Sequence, residues 1–476
     1  MTSNYQIEET KVLAHQESIK SINKNIFRAY DIRGIYPSDF DEEAAYKIGT
    51  ALANKIKSNP KAVVAMDGRL SNSVIKKSLI NGLMDCGIEV TDCGLIPTPM
   101  LYFATKHLNI PNGFMVTGSH NSKDYNGIKM VIDNKSMFDQ EIYSLRDWIV
   151  KNTIDYKNND NKPKIYKNIL SDYITRTKKD MHIDIKKKFI VDCMNGVTGI
   201  VIKDILDSYG IDAKFINKEV NGNFPNCSPD PTKEINLEII KNKIKILKAD
   251  YGVAFDGDGD RLVIIKKDGC VIWPDELMIL FSNSILSKKN KARIVYDVKC
   301  TRNLKDSIEK MNGVAIESRT GHSYIKQTIK DESADLGGEL SGHIFFNDKW
   351  YGFDDGIYVF LRFLEVLTNE PHLLEELSSL PQTYPTPEID IEFTNNGHFK
   401  FIDDLKQTNL LNNYKVSYLD GIKISNSQSW GLVRASNTSP KITLRFESLS
   451  HEGLKNIQND IKNAILKIDN TLDLPF

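Results

Sequence analysis

Apolar runs alternate with stretches of helical spacing three times over the first three-quarters of the chain. Each round opens on a short apolar run that ends in aspartate: VVAMD to Asp67, FIVD to Asp192 and IVYD to Asp297. A polar turn and a helical periodicity follow. A glycine then opens a second apolar run, Gly87 before IEV, Gly210 before IDAKFI and Gly313 before VAIE. Strand, turn, helix, glycine stop and strand is the pattern of a βαβ unit. The parallel continues into a third apolar run, a compact polar loop and a fourth run. These read GFMVT, GSHNSKDYNG and IKMVI, then YGVAF, DGDGD and RLVII, then ADLGGE, LSGH and IFF. Three equivalent loops therefore carry unusual sequences, and loops held by a rigid scaffold can converge on one cleft.

From about residue 381 the plan changes. LPQTYPTPEID is proline-rich and predicts a linker. In KITLRFES, Ile442, Leu444 and Phe446 alternate with Thr443, Arg445 and Glu447, which predicts a half-buried strand. The following EGLKNIQNDIKNAILKI places Leu454, Ile457, Ile461, Ile465 and Ile468 on one helical face. A small α+β domain is expected there.

The composition narrows the class. With 476 residues, of which 41% are apolar and 26% charged, the chain is an ordinary globular one. Its length suggests about three or four domains of roughly 150 residues. A net charge of −1 offers no general attraction to nucleic acid or to an anionic membrane. An anionic ligand must be held by a local cluster. The six cysteines are scattered without a CxxC pair, which argues against zinc and fits reduced thiols in the cytoplasm. The opening residues are polar and unlike a signal peptide, and no apolar run is long enough to predict a membrane span.

DGDGDR, residues 256–261, is the strongest chemical signal. Asp256, Asp258 and Asp260 lie within five residues between two apolar strands, and carboxylates so close repel one another. A hard divalent cation such as Mg²⁺ resolves that repulsion. Gly257 and Gly259 let the backbone fold so that the side chains converge. An EF-hand is excluded, because its sixth and twelfth positions fall on Arg261 and Lys267. TGSHNSKDYNGIK offers Ser119, His120 and Lys129; beside a metal loop, Ser119 becomes a candidate phosphoryl carrier. GGELSGH sets Glu339, Ser341 and His343 at alternate positions, which an extended backbone would point the same way. Carboxylate and hydroxyl side by side suit a sugar diol. RASNTSPK has a phosphate-binding composition in Arg434, Ser436, Asn437, Thr438 and Ser439. FRAYDIRG holds Arg28, Tyr30 and Arg33.

Together with LIPTPMLYFAT, VDCMNG, PDPTKEINL, YDVKCTR, RTGHSYIK and YGFDDGIY, these loops resemble the α-D-phosphohexomutase family, in its bacterial phosphomannomutase/phosphoglucomutase branch, from about Phe27 onward. The resemblance implies an α/β fold: three repeated α/β domains with mixed sheets and a smaller C-terminal α+β domain around a central cleft. The expected boundaries are 25–165, 166–268, 269–381 and 382–476, after a polar extension at 1–24. It implies that Ser119 is the phosphoserine and that Asp256, Asp258 and Asp260, with Ser119, hold one Mg²⁺. Arg33, Lys129, Arg261 and His343 match catalytic positions. Tyr30, Lys299 and His322 match substrate-binding ones, Glu339 and Ser341 a sugar-hydroxyl grip, and Arg434, Ser436, Asn437 and Thr438 a phosphate clamp. Which of Lys129, Arg33 and His343 moves the proton stays open. Many family members have proline after SHN, where this chain has Ser122.

The activity so implied is interconversion of hexose 1-phosphate and hexose 6-phosphate, of mannose or glucose, through a bisphosphorylated sugar. A glucose 1,6-bisphosphate-type activator would prime the serine. The expected partners are small hexose phosphates, without nucleic acid or membrane, for a monomer or weak homodimer in the cytoplasm. The rival readings are a phosphoglucosamine mutase, a metal-dependent phosphatase and a non-catalytic sugar-phosphate sensor.

Overall fold

The computed structural model describes residues 22–158, 163, 165–393, 397–408, 413–437 and 439–476. Nearly all of the expected polar extension, and Thr438 of the expected phosphate clamp, lie outside the described residues. Ile22 and Ile26 are already packed into the first core.

Three of the four sheets repeat one arrangement. In the first, Glu89–Leu95, Lys61–Met66 and Gly113–Val116 lie side by side and parallel, and Tyr125–Ile132 joins them antiparallel. Ala213–Ile216, Phe189–Asp192, Tyr251–Phe255 and Leu262–Lys266 take the same order in the second. Val314–Ser318, Arg293–Asp297, Leu336–Gly338 and Ile344–Phe346 take it in the third. Ile32–Ile35 and Ile165–Tyr166 extend the edges of the first sheet. In every unit the loop joining the third parallel strand to its antiparallel neighbour is the one with the unusual sequence. It leaves the carboxyl end of a buried strand, where open α/β sheets bind their ligands.

The glycine stops act in two ways. Gly87 and Gly210 take φ of +85° and +71°, the left-handed turn that ends a helix. In the third unit Asn312 takes that conformation instead, at φ +57°. Gly313 is needed for space, since a Cβ there would lie 2.8 Å from Ile308 Cγ2.

Strand residues alternate between two buried faces. Val64, Phe114 and Val116 face a core private to the first unit. Val63, Ala65 and Met115 face a core that runs on through Phe189, Phe255 and Leu277 to Phe360 and Leu364, so one apolar body spans three units.

The fourth sheet is antiparallel and carries the helices His398–Lys406 and His451–Ile468, with its own core around Ile424, Leu444, Phe446, Ile457 and Ile461. Two expectations fail here. The proline-rich segment is not only a linker: Tyr384–Pro385 and Ile389–Glu392 are strands paired with Lys441–Ser448. That strand is buried on both faces. Its polar side turns toward the third unit, where Glu447 accepts from Thr301 Oγ1 at 2.5 Å and from the Arg302 amide at 2.9 Å. No helix among the described residues is long and apolar enough to cross a membrane.

Candidate active site

The aspartates that close the first strand of each unit share one job. Asp67, Asp192 and Asp297 each accept the backbone N–H two residues on, from Arg69 at 3.0 Å, Met194 at 2.8 Å and Lys299 at 3.1 Å. Each turn fixes the backbone just past the carboxyl end of its strand.

Ser119 stands at the tip of its loop, buried, with φ of +48°. A residue with a Cβ holds that conformation at a cost of roughly 1–2 kcal/mol, so the surroundings must impose it. Its amide donates to Thr117 Oγ1 at 2.7 Å, and Thr117 donates to Asp67 at 2.6 Å. The Ser119 hydroxyl donates to Asp256 Oδ2 at 3.0 Å and lies 3.2 Å from His120 Nδ1. Burial, then the charges of Arg261 and Arg33, keep His120 neutral. Arg33 Nη1 donates to the Gly118 carbonyl at 3.2 Å and to Asn121 Oδ1 at 2.5 Å, while Nη2 pairs with Asp31.

The loop of Asp256, Asp258 and Asp260, the candidate metal loop, lies directly beneath. A Cβ on Gly257 would come within 2.5 Å of the Ser119 carbonyl oxygen, so only glycine allows the two loops to touch. Asp256, Asp258 and Asp260 are fully buried, with one oxygen of each within 4.8 Å of the others. Asp258 Oδ2 receives Thr98 Oγ1 at 2.5 Å and Lys129 Nζ at 2.7 Å, and Lys129 also pairs with Asp260. Burial and the charges of Asp260 and Asp258 push the Asp256 carboxyl well above the usual range. Burial acts on Asp258 in the same direction, but the Lys129 ammonium overrides it and holds that carboxyl low. Asp258 Oδ1 and Asp260 Oδ1 are buried without a hydrogen-bond partner among the described residues. Two orphaned carboxylate oxygens beside a third carboxylate and a hydroxyl form an all-oxygen set that fits Mg²⁺.

The third loop does not run extended. The Gly342 amide donates to the Glu339 carbonyl at 3.0 Å and Gly342 takes φ +97°, so Glu339, Ser341 and His343 do not point the same way. The turn instead brings Ser341 Oγ to 3.4 Å from Glu339 Oε2, while Glu339 Oε1 accepts the Gly321 amide at 2.5 Å. His343 turns back to the metal loop. Its Nε2 accepts Arg261 Nε–H at 2.9 Å, its Nδ1 lies 2.9 Å from Asp354 Oδ2, and its backbone bridges to that of Arg261. The His322 ring centre is 5.3 Å from that of His343. Lys299 pairs with Glu388 at 2.8 Å, and that ammonium draws the Glu388 carboxyl down to about 2.

The C-terminal loop closes the ring. Arg434 Nε donates to Asp420 Oδ2 at 2.9 Å, and the same oxygen accepts the Thr320 amide at 3.0 Å. Ser436 Oγ lies 3.2 Å from Ser439 Oγ. Asn437 reaches Tyr30, whose pKa burial pushes up to about 12. Sequence reasoning missed Arg69, Asp67, Thr98, Thr117, Asp354, Glu388 and Asp420. Asp67 carried a signal as the repeated aspartate, and Arg69 as the position equivalent to Lys299.

Four family profiles match in order along the chain. They are the α/β/α domains I, II and III of phosphoglucomutase/phosphomannomutase, at residues 24–153, 168–269 and 273–384, and its C-terminal domain at 391–464. The chain belongs to the phosphoglucomutase/phosphomannomutase family. Within that family it is 40% identical to the phosphomannomutase/phosphoglucomutase of Pseudomonas aeruginosa, over 95% of this chain and 98% of that one. It is 37% identical to the phosphoglucomutase of Neisseria gonorrhoeae, over 94% and 97%. A crystal structure of a phosphoglucomutase/phosphomannomutase family protein from Burkholderia thailandensis superposes with a TM-score of 0.87 at 36% identity, covering 96% of this chain and all of the other. The fold also extends to an Aspergillus fumigatus N-acetylphosphoglucosamine mutase solved with GlcNAc-6P and magnesium, at a TM-score of 0.57 and 14% identity over 94% of this chain and 100% of that one. Membership makes the chain an enzyme of the mutase class.

Proposed function

We propose that the chain interconverts the 1- and 6-phosphates of mannose and glucose through a phosphoserine at Ser119 and a bisphosphorylated sugar. The observation that carries this reading is the Ser119 hydroxyl, 3.0 Å from Asp256 in a buried acidic triad that pairs with Lys129 and lies beside Arg261 and His343, with Arg33 on the neighbouring Gly118 carbonyl. Phosphoryl transfer asks for alignment and charge neutralisation more than for covalent help. The sugar's free hydroxyl oxygen attacks phosphorus in line, the bond from phosphorus to Ser119 Oγ breaks, and the hydroxyl proton leaves to a cleft residue. The bisphosphosugar then turns around and returns its other phosphate to Ser119 Oγ, with the proton going back to the sugar oxygen. Arg434, Ser436, Asn437 and Thr438 would grip the phosphate that is not reacting. Glu339 and Ser341 would hold sugar hydroxyls in both orientations, with Tyr30, Lys299 and His322 around them. A Mg²⁺ held by Asp256, Asp258, Asp260 and the Ser119 oxygen would supply charge neutralisation at the transferring group. A glucose 1,6-bisphosphate-type activator would prime the serine.

The test is an isomerisation assay with glucose 1-phosphate, mannose 1-phosphate and glucosamine 1-phosphate, together with peptide mass analysis. The first two sugars should turn over, and phosphate should be found on Ser119. Release of free phosphate without isomerisation would overturn the proposal in favour of a phosphatase.

A further inference from the structure

We infer that Arg69, capped by Phe224 from the second α/β unit, is a positioning residue that holds the Ser119 loop in the backbone shape needed for transfer; the inference rests on Ser119 as the phosphoryl carrier. The Arg69 guanidinium is buried and gathers four carbonyls of that loop. Nη2 donates to Ser119 and Asn121, each at 2.7 Å, and Nη1 to Ser122 at 2.6 Å and Tyr125 at 2.8 Å. Those carbonyls run from the serine itself to Tyr125, the first residue of the next strand, so one planar fork fixes the course of the loop from Ser119 onward. A lysine ammonium, with three donors on a flexible stem, cannot reproduce that fork. Ser119 sits in the left-handed region at φ +48°, a conformation that persists only where the surroundings over-determine it. The Asp67 carboxylate, 3.5 Å from Arg69 Nε, anchors the guanidinium from behind.

The loop is fitted to this arginine. A Cβ on Gly118 would lie 2.4 Å from Arg69 Cζ, so the guanidinium packs where only glycine leaves room. The Arg69 Cζ lies over the Phe224 ring, 5.1 Å from its centre. Phe224 is buried and itself held at φ +46°, an outlier for so bulky a residue. Its segment is seated on the backbone that carries Arg69. A Cβ on Gly222 would lie 2.7 Å from the Leu70 amide nitrogen, and one on Gly68 would lie 2.1 Å from Val220 Cγ1. A strained aromatic from the metal-loop unit thus presses on the residue that shapes the serine loop. Neither residue donates a hydrogen bond to the acidic triad, and Arg69→Lys keeps the positive charge that Asp258 feels, so the effect of these substitutions on turnover runs through the position of Ser119.

The experiment compares the full-length wild type with Arg69→Lys, Phe224→Leu and Phe224→Tyr. It reads kcat, KM, melting temperature, and the lifetime of phosphate on Ser119 after priming with glucose 1,6-bisphosphate. For Arg69→Lys, kcat should fall about 100-fold, the cost of misplacing a reacting group by an ångström, with KM little changed and the phosphoserine hydrolysed faster. Phe224→Leu should show the same pattern more weakly, and Phe224→Tyr, which keeps the ring, should restore wild-type behaviour. If Arg69→Lys does not fold, Phe224→Leu carries the test. Wild-type kcat and phosphoserine lifetime in the folded variants would overturn the inference. So would losses that follow melting temperature while the phosphoserine lifetime stays unchanged. Absence of phosphate on Ser119 in the active wild type would refute the carrier reading itself, a result distinguishable from either of these.

Discussion

The Tyr30 hydroxyl accepts the Asn437 side-chain amide at 2.5 Å, although the two residues come from opposite ends of the chain. The same hydroxyl donates to the Thr320 carbonyl at 3.0 Å, so one tyrosine ties the first, third and fourth units together. Tyr30→Phe should lower kcat/KM about tenfold, because hydrogen bonds of this kind contribute about 1–1.5 kcal/mol each and one partner belongs to the proposed phosphate clamp. Steady-state kinetics decide, and an unchanged kcat/KM would show that the Tyr30 hydroxyl does not support Asn437 in the clamp.

Arg434→Ala should raise KM for glucose and mannose phosphates alike, by roughly 10- to 100-fold, since a charge-assisted contact to a shared phosphate is worth about 1.5–3 kcal/mol. The truncation also strips Asp420 of the guanidinium that neutralises it. An effect confined to one sugar would instead place Arg434 against the sugar ring.

Metal binding can be read without catalysis. A cation that meets Asp258 Oδ1 and Asp260 Oδ1 only in the folded chain stabilises it by mass action, about 2.7 kcal/mol at a hundredfold excess over Kd. Calorimetry should show a melting temperature that climbs with Mg²⁺ in the wild type and much less in Asp258→Asn. Full activity in excess chelator would show that the triad is not a catalytic metal site.

Asp355 supplies a pH signature away from the triad. It caps the helix Gly356–Asn369 through the Tyr358 amide at 2.9 Å and accepts from the Tyr173 hydroxyl at 2.9 Å. Burial, aided by the neighbouring Asp354 charge, outweighs the hydrogen bonds from Tyr358 and Tyr173 and lifts its pKa from 3.8 to about 7. A raised carboxyl binds protons in the folded chain that the unfolded chain has released. Its contribution is therefore complete below about pH 4 and is lost as pH rises through 7, a span of about 4 kcal/mol. Asp355→Asn keeps a neutral acceptor in place and should flatten that part of the stability curve. Denaturant titrations of both proteins at pH 5 and pH 8 measure it, and parallel losses in the two would rule Asp355 out as the source.

The repeat and its loops were legible because each unit writes the same local code: a buried strand, a terminal aspartate and a polar loop between apolar runs. Where local code meets distant chains, the reading fails for identifiable reasons. Arg69 follows an ordinary Asp-Gly turn, and nothing near it in sequence reveals carbonyls some fifty positions away. The alternation of Glu339, Ser341 and His343 suggested an extended segment because a single glycine, Gly342, can reverse a loop without altering the pattern around it. Arg445 and Glu447 looked solvent-facing because strand periodicity sees only polarity. Here their partners are Asp275, 3.9 Å from Arg445, and Thr301 against Glu447, which lie on a different unit.

The apolar body that runs through the first three units also has a thermodynamic meaning. Elements that share one core cannot lose it separately, so those units should open as a single cooperative block. The C-terminal unit keeps its own core and meets the rest through polar groups and the small cluster of Val298, Trp430 and Leu432. The C-terminal unit can therefore detach while the triad and the serine loop stay assembled. Heat or denaturant would then abolish the proposed grip on the phosphate that is not reacting before it disturbed the proposed transfer at Ser119.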